Sequence, residues 1–263
     1  MQVDSTPRQG PEADFEARLL ECLRSVGTSV DASGLGISPD DGVRLLQEVL
    51  AKHPEIFWSN GGCTYTYDSS GLLTFSPKYL YGAGEIPSMR DAYEGRVAQA
   101  LDWLSGLGIS DDADKAKALH DYLVQHAEYS RTQLSGGEVP MVEHTAFGIM
   151  ANGTGVCDGY ARAYQDLLAR SGIPSVVIQS EAMNHAWNLV SVGGTWRHVD
   201  VTFDDPVIRD PAGTIVPDDE VRATYFLKSD AYMQAHGHYG WTSDVQATDA
   251  SLDAKDDWRV FRA

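Results

Sequence analysis

Cysteine, histidine and aspartate together perform acyl transfer, and one of each stands here in a setting that suits the work. Cys157 lies in "GTGVCDGYARAYQDLLARSGIPS", residues 153–175, behind two glycines and directly ahead of an amphipathic helical pattern. In the first turn of a helix, unpaired backbone N–H groups and the helix dipole stabilise a thiolate relative to a free cysteine, whose pKa is about 8.5. Capping by Thr154 or a neighbour would place Cys157 in that turn. Gly153 and Gly155 would leave room for a substrate backbone to come close. Ala161, Tyr164 and Leu168 form the apolar face that anchors the helix. On this stretch alone, a cysteine buried for packing fits equally well.

A nucleophilic cysteine needs a base, and the base needs an orienter. "NHAWNLVSVGGTWRHVDVT" offers both in one hairpin. With Gly193-Gly194 as a two-residue turn, Val192 pairs with Thr195, Trp187 falls opposite Asp200, and His185 falls opposite Thr202. Side chains two apart in a strand share a face, so His185 and Asp200 become diagonal neighbours, and a one-residue slip would part them. His198 lies on the same face, opposite Leu189 and nearer the turn, and reads as a structural or partly exposed histidine.

The elements around these residues follow from periodicity and turn chemistry. Residues 1–12 are polar, rich in Pro and Gly, and expected to be disordered. Helices are expected over 13–26, from Pro39 to before Pro54, over 87–107, and after the acidic start at 110–112. A hairpin is expected with 64–67 against 72–75, and a glycine-containing loop spans about 135–138. After the cysteine helix come "SVVIQSEA", "HAWNLVSV" and "TWRHVDVT", three strand-like runs, then "ATYFLKSDAYM" as a strand or short helix. The fold class is therefore α+β, helices first and an antiparallel sheet after, with a boundary near Gly108.

Composition excludes several classes. The 263 residues carry 20 Lys+Arg against 38 Asp+Glu, a formal net charge of -18, which disfavours nucleic acid as a partner. No window approaches the roughly 20 apolar residues of a membrane span. No signal peptide is visible, and the location stays open: extracellular or cell-surface if an export signal has been removed, otherwise cytoplasmic. Cys22, Cys63 and Cys157 are too few for a disulfide scaffold; at most Cys22 and Cys63 could pair.

With these residues in place, "GVCDGYARAYQDLLARSGIPS" and "NHAWNLVSVGGTWRHVDVTFDDP" together strongly resemble the bacterial branch of the transglutaminase-like superfamily of cysteine enzymes. The resemblance spans about 112–239, including "KALHDYLVQHAEYS" before the cysteine helix and "YFLKSDAYMQAHGHY" after the strands. It implies a papain-like core with the cysteine helix on an antiparallel sheet, a catalytic domain over 109–263, and an α+β extension of unassigned role over 13–108. Residue by residue it implies Cys157 as nucleophile, His185 as general base and acid, and Asp200 as orienter. The oxyanion would be held by the Cys157 N–H and a second donor, with Tyr129 and Asn152 as candidates. Trp187 supports the hairpin core or walls the site.

The implied activity is a thiol-dependent hydrolase, a peptidase or amidase working through a thioester. A protein-glutamine transglutaminase and an inert binding module are the alternatives, because the triad alone does not choose the acceptor. The partner would be a peptide or protein, cell-wall peptide included. Neither cofactor nor metal is expected. The carboxylates of 203–220, among them Asp204, Asp205, Asp210, Asp218, Asp219 and Glu220, do not follow calcium-loop spacing and read as solvated or turn-forming. His236 and His238, on one side of a strand, have no third ligand spaced with them.

Overall fold

The computed structural model describes residues 10–205, 207–209, 215–216 and 221–263. The expectations for residues 1–9 and for Asp210, Asp218, Asp219 and Glu220 lie outside them. The chain divides into two compact units, 1–91 and 92–263.

The first unit holds α1 (Pro11–Arg24), β1 (Val30–Asp31), α2 (Pro39–Lys52), β2 (Ser59–Asp68) and β3 (Gly71–Tyr79). The three strands form an antiparallel sheet ordered β1-β3-β2. Pro11 opens α1, so residues expected to be disordered already lie in a helix there, where a missing N–H costs nothing. Ser38 caps α2 by accepting from the Asp41 N–H. Phe15, Leu19, Leu45, Leu46 and Phe75 are fully buried, with Phe15 edge-on to Phe75 at 5.4 Å. Cys22 and Cys63 are both free thiols.

A long helix, α3 (Ile86–Gly106), crosses the division. The second unit continues with α4 (Asp112–His126), β4 (Glu128–Tyr129), α5 (Arg131–Leu134), a 3-10 turn (Met141–His144), α6 (Ala146–Asn152), β5 (Thr154–Gly155) and α7 (Cys157–Arg170). Then come β6 (Ser175–Ser180), β7 (His185–Val192), β8 (Thr195–Val199), β9 (Ile208–Arg209), β10 (Ile215–Val216), β11 (Phe226–Lys228) and α8 (Asp230–Ala235). "ATYFLKSDAYM" thus divides into a strand followed by a short helix. The 3-10 turn and α6 are not among the elements expected from the sequence; their runs are too short to show a helical period.

Strands β6, β7, β8 and β11 make the antiparallel sheet that carries the site, in the order β11-β8-β7-β6. Helix α7 lies against β6 and β7. Tyr160, Ala161, Tyr164, Leu167 and Leu168 are buried along it, as its apolar period requires. Two polar ties fix its position: Asn188 Nδ2 donates to the Ala161 carbonyl (2.9 Å), and the Tyr164 hydroxyl donates to the Ala116 carbonyl of α4 (2.9 Å).

The β7–β8 hairpin has the expected register, with Val192 opposite Thr195 and Leu189 opposite His198. Gly193 and Gly194 take φ of 58° and 79°, the left-handed pair that a two-residue turn of this twist needs. Beyond Asn188–Val199 the ladder stops, so the expected pairings of Trp187 with Asp200 and His185 with Thr202 are not formed. The chain turns at 201–204 instead, because the Asp200 carboxylate accepts from the Phe203 N–H (3.1 Å) and the Asp204 N–H donates to the Asp200 carbonyl (3.2 Å).

Asp204 corrects a second expectation: it is fully buried, not solvated. Its carboxylate accepts from the Tyr225 N–H (3.1 Å) and meets His120 Nε2 at 3.2 Å. His120 in turn touches Asp121, which is also paired with Lys117, all of them buried on α4. Burial opposes a charge on His120, but hydrogen bonds to Asp121 and Asp204 outweigh it and raise its pKa. This chain of alternating charges, together with the Tyr160 hydroxyl donating to Asp205 (2.5 Å), secures the turn that follows Asp200.

Candidate active site

Cys157 is the first residue of α7, and the residue before it, Val156, is extended (φ −111°, ψ −177°) with no side-chain cap. Thr154, a proposed cap, is instead part of β5. The absence of a capping side chain leaves first-turn N–H groups open beside the sulfur, which is half-buried.

The glycines behind it serve the fold, which revises the reading that they admit a substrate. Gly153 adopts φ +70° as the left-handed C-cap of α6. A Cβ on Gly155 would lie 2.7 Å from the Glu143 carbonyl oxygen and 2.7 Å from Ile149 Cδ1, and one on Gly159 would lie 2.6 Å from the same carbonyl. The 3-10 turn therefore occupies the space next to the cysteine, and Val156 N–H donates to Glu143 O at 3.0 Å. Gly155→Ala is expected to cost about 1–3 kcal/mol of stability. Because the displaced backbone is two residues from the sulfur, it should also slow Cys157 alkylation in the fraction that remains folded. Thermal unfolding and the alkylation rate read the two effects.

His185 opens β7 and is buried; its Nε2 donates to Asp200 Oδ2 at 2.6 Å. Nε2 being engaged, Nδ1 is the nitrogen left for Cys157, which is also a hydrogen-bond partner of His185. Burial opposes the imidazolium, but the Asp200 charge and hydrogen bond, with Cys157, outweigh it and raise His185 to about 10. Burial likewise opposes the Asp200 carboxylate, yet the His185 charge and hydrogen bond, then the His238 hydrogen bond, hold it down at about 2. The three residues read from the sequence thus converge, cysteine from the helix, histidine from a strand start and aspartate from just past a strand end.

The other candidates divide. Tyr129 on β4 pairs with Gly155 on β5, which sets it beside the start of α7. Burial and the charges of Cys157, Asp158 and Asp200 push its hydroxyl up to about 12, so it stays a donor near the sulfur. Asn152 sits exposed at the end of α6, and no hydrogen bond joins it to the site among the described residues. Trp187 is 1% exposed in a core with Ile178, Leu189 and Met233, and its ring stacks on His185 at 5.5 Å. It therefore backs the imidazole from inside and does not wall an open cleft. His198 is structural: its Nδ1 accepts from Trp187 Nε1 (2.9 Å) and its Nε2 meets Asp230 (2.8 Å).

Two residues that sequence reasoning missed complete the surroundings. Phe203 lies with its ring 4.5 Å from that of His185 and is 43% exposed, so it is the aromatic that faces both the imidazole and solvent. His238 is fully buried, and its Nε2 donates to Asp200 Oδ2 at 2.8 Å. It was expected beside His236 on a strand, but Gly237 takes φ +94° and parts them; His236 is exposed and bonds back to Tyr232 O. The signal available was the position of "HGHY" at the end of the resembling region. Among the described residues His185, Asp200 and His238 bring three ligating atoms within 4.8 Å of one another. An ion there would replace both hydrogen bonds to Oδ2 and part His185 from Asp200.

A cysteine at an uncapped helix start thus meets a histidine–aspartate pair carried by an antiparallel sheet. Residues 103–201 match the transglutaminase-like superfamily. No curated protein matches the chain. Among solved structures it is similar to a TGase, at 14% identity and a TM-score of 0.38 over 68% of this chain and 50% of that one. It is also similar to a Cytophaga hutchinsonii protein proposed to be a cysteine protease, at 17% identity and a TM-score of 0.33 over 54% of this chain and 61% of that one.

Proposed function

We propose that the protein is a cysteine hydrolase of peptide or amide bonds, with the catalytic work assigned to residues 109–263. The observation that carries the reading is the convergence of Cys157, at the uncapped start of α7, with His185 and its buried Asp200 partner. The Cys157 sulfur attacks the carbonyl carbon of the substrate, and the Cys157 N–H and the Tyr129 hydroxyl receive the developing oxyanion. The carbon–nitrogen bond then breaks, His185 gives its proton to the departing amine, and a thioester remains on Cys157. Water enters, loses a proton to His185, and releases the acid and the free thiol. Water is the favoured acceptor because it needs no second binding pocket.

The test is a product analysis on a mixed library of peptides and cell-wall peptides, with a fluorescent primary amine present. Cleavage products that increase with enzyme and vanish in the absence of a free Cys157 thiol are the expected result. Amine incorporation without cleavage would replace the reading with transamidation. No turnover, together with alkylation of Cys157 no faster than a free cysteine peptide, would favour an inert binding module.

A further inference from the structure

Asp200 Oδ2 receives two imidazoles, His185 Nε2 at 2.6 Å and His238 Nε2 at 2.8 Å, while Oδ1 receives the Phe203 N–H at 3.1 Å. An ionised carboxylate only accepts, so each Nε2 carries a proton. The far nitrogen of His238, Nδ1, is buried with no hydrogen-bond partner among the described residues. Around that ring lie Phe203 at 4.8 Å, Tyr225 at 4.9 Å and Trp187 at 5.0 Å. A second proton on His238 would bury an unmatched donor in this aromatic cage, which is costly, whereas a bare nitrogen lone pair costs less. The cage thus selects one form of the ring, the form whose only donor points at the carboxylate. Packing alone would be met by any ring of this size; it does not call for an Nε2–H aimed at the same oxygen that His185 uses.

We propose that His238 is a positioning residue for the catalytic pair, its Nε2–H fixing Asp200 Oδ2 in line with His185 and sharing the carboxylate's charge. The inference rests on the reading of Cys157, His185 and Asp200 as the reacting set. The ionisable groups that face this cluster are Cys157 from α7, His185 from β7, Tyr129 from β4 and Tyr225 ahead of β11. Of these, His185 touches the carboxylate, as His238 itself does. His238 therefore acts on the sulfur through Asp200 and His185, three hydrogen bonds away.

The experiment compares wild type with His238→Phe, which keeps a ring and loses the donor, and His238→Gln, whose amide N–H reaches the same oxygen. Iodoacetamide alkylation, read at Cys157 by peptide mapping, is expected to slow on the order of tenfold in His238→Phe and to recover within about threefold in His238→Gln. The Asp200 carboxyl carbon, followed by NMR titration, should shift upward by about one pH unit in His238→Phe and return in His238→Gln. In wild type, ring-nitrogen spectra should place the His238 proton on Nε2, a readout that needs no variant to fold. A folded His238→Phe with unchanged alkylation and Asp200 titration would overturn the proposal, as would a wild-type ring protonated on Nδ1. Failure of wild type to turn over any peptide would sink the hydrolase reading while leaving these measurements intact.

Discussion

Cys157→Ala is expected to keep the fold and lose turnover by on the order of 10⁴-fold or more, the effect of removing a nucleophile. The fold should survive because Cys157 is half-buried at the first position of α7, and the helix is held by Tyr160, Tyr164, Leu167 and Leu168 further along. Trimming one sulfur at such a site changes stability by no more than about 1 kcal/mol. The loss of activity should be complete because no neighbouring group can take its place: Asp158 is engaged with His144 at 3.0 Å, and Tyr129 is held protonated. The control is provided by the other two thiols, since Cys22→Ala and Cys63→Ala lie in the first unit and should leave turnover unchanged. Steady-state kinetics beside circular dichroism checks both halves of the prediction.

Asp200→Asn is expected to lower kcat by about 10³–10⁴-fold, the size of the effect when a histidine loses its orienting carboxylate. Asparagine leaves one acceptor oxygen for three N–H donors, the two Nε2–H groups on Oδ2 and the Phe203 N–H on Oδ1, so its NH2 meets at least one of them, and the charge that holds the imidazolium is gone. The change also shows in pH dependence. In wild type the Asp200 charge raises His185 to about 10, so its proton is available to the departing amine up to that pH. Without the Asp200 charge, burial still opposes the imidazolium and only Cys157 supports it, so His185 falls well below 10 and the alkaline limb of kcat moves to lower pH. Stability follows the same sign. The raised His185 contributes stability that is full below about pH 6.5 and lost as pH rises through about 10. The lowered Asp200 contributes above about pH 3.9 and is lost as pH falls through about 2. Thermal unfolding across pH should show that window in wild type and a flattened one in Asp200→Asn.

How far the sequence reveals this site depends on the reach of each signal. The hairpin was legible because Gly193-Gly194 sets a register, and the register fixes which side chains share a face. The cysteine helix was legible from its amphipathic period. What escaped was set by long-range contacts. The ladder ends at Val199 because Asp200 captures the Phe203 N–H, a local turn that alternation does not encode. Asp204 reads as one more acidic loop residue until α4, over 80 positions away, supplies His120. Gly155 reads as an opening for substrate until the 3-10 turn at Met141–His144 fills it. His238 was lost for the same reason, since its partner Asp200 lies on the far side of an acidic loop and a helix. Residues that meet their partners within one hairpin or one helix declare themselves; those that wait for the tertiary fold do not.

The central claim is that Cys157 carries the acyl group, and the most direct measurement is intact mass and peptide mapping after acid quench of enzyme mixed with an activated ester or cleavable peptide. The account predicts a mass increase equal to the acyl group, located on the peptide that contains Cys157, released by water, and absent from Cys157→Ala. Turnover with no such adduct, or an adduct on Cys22 or Cys63 in its place, would contradict it.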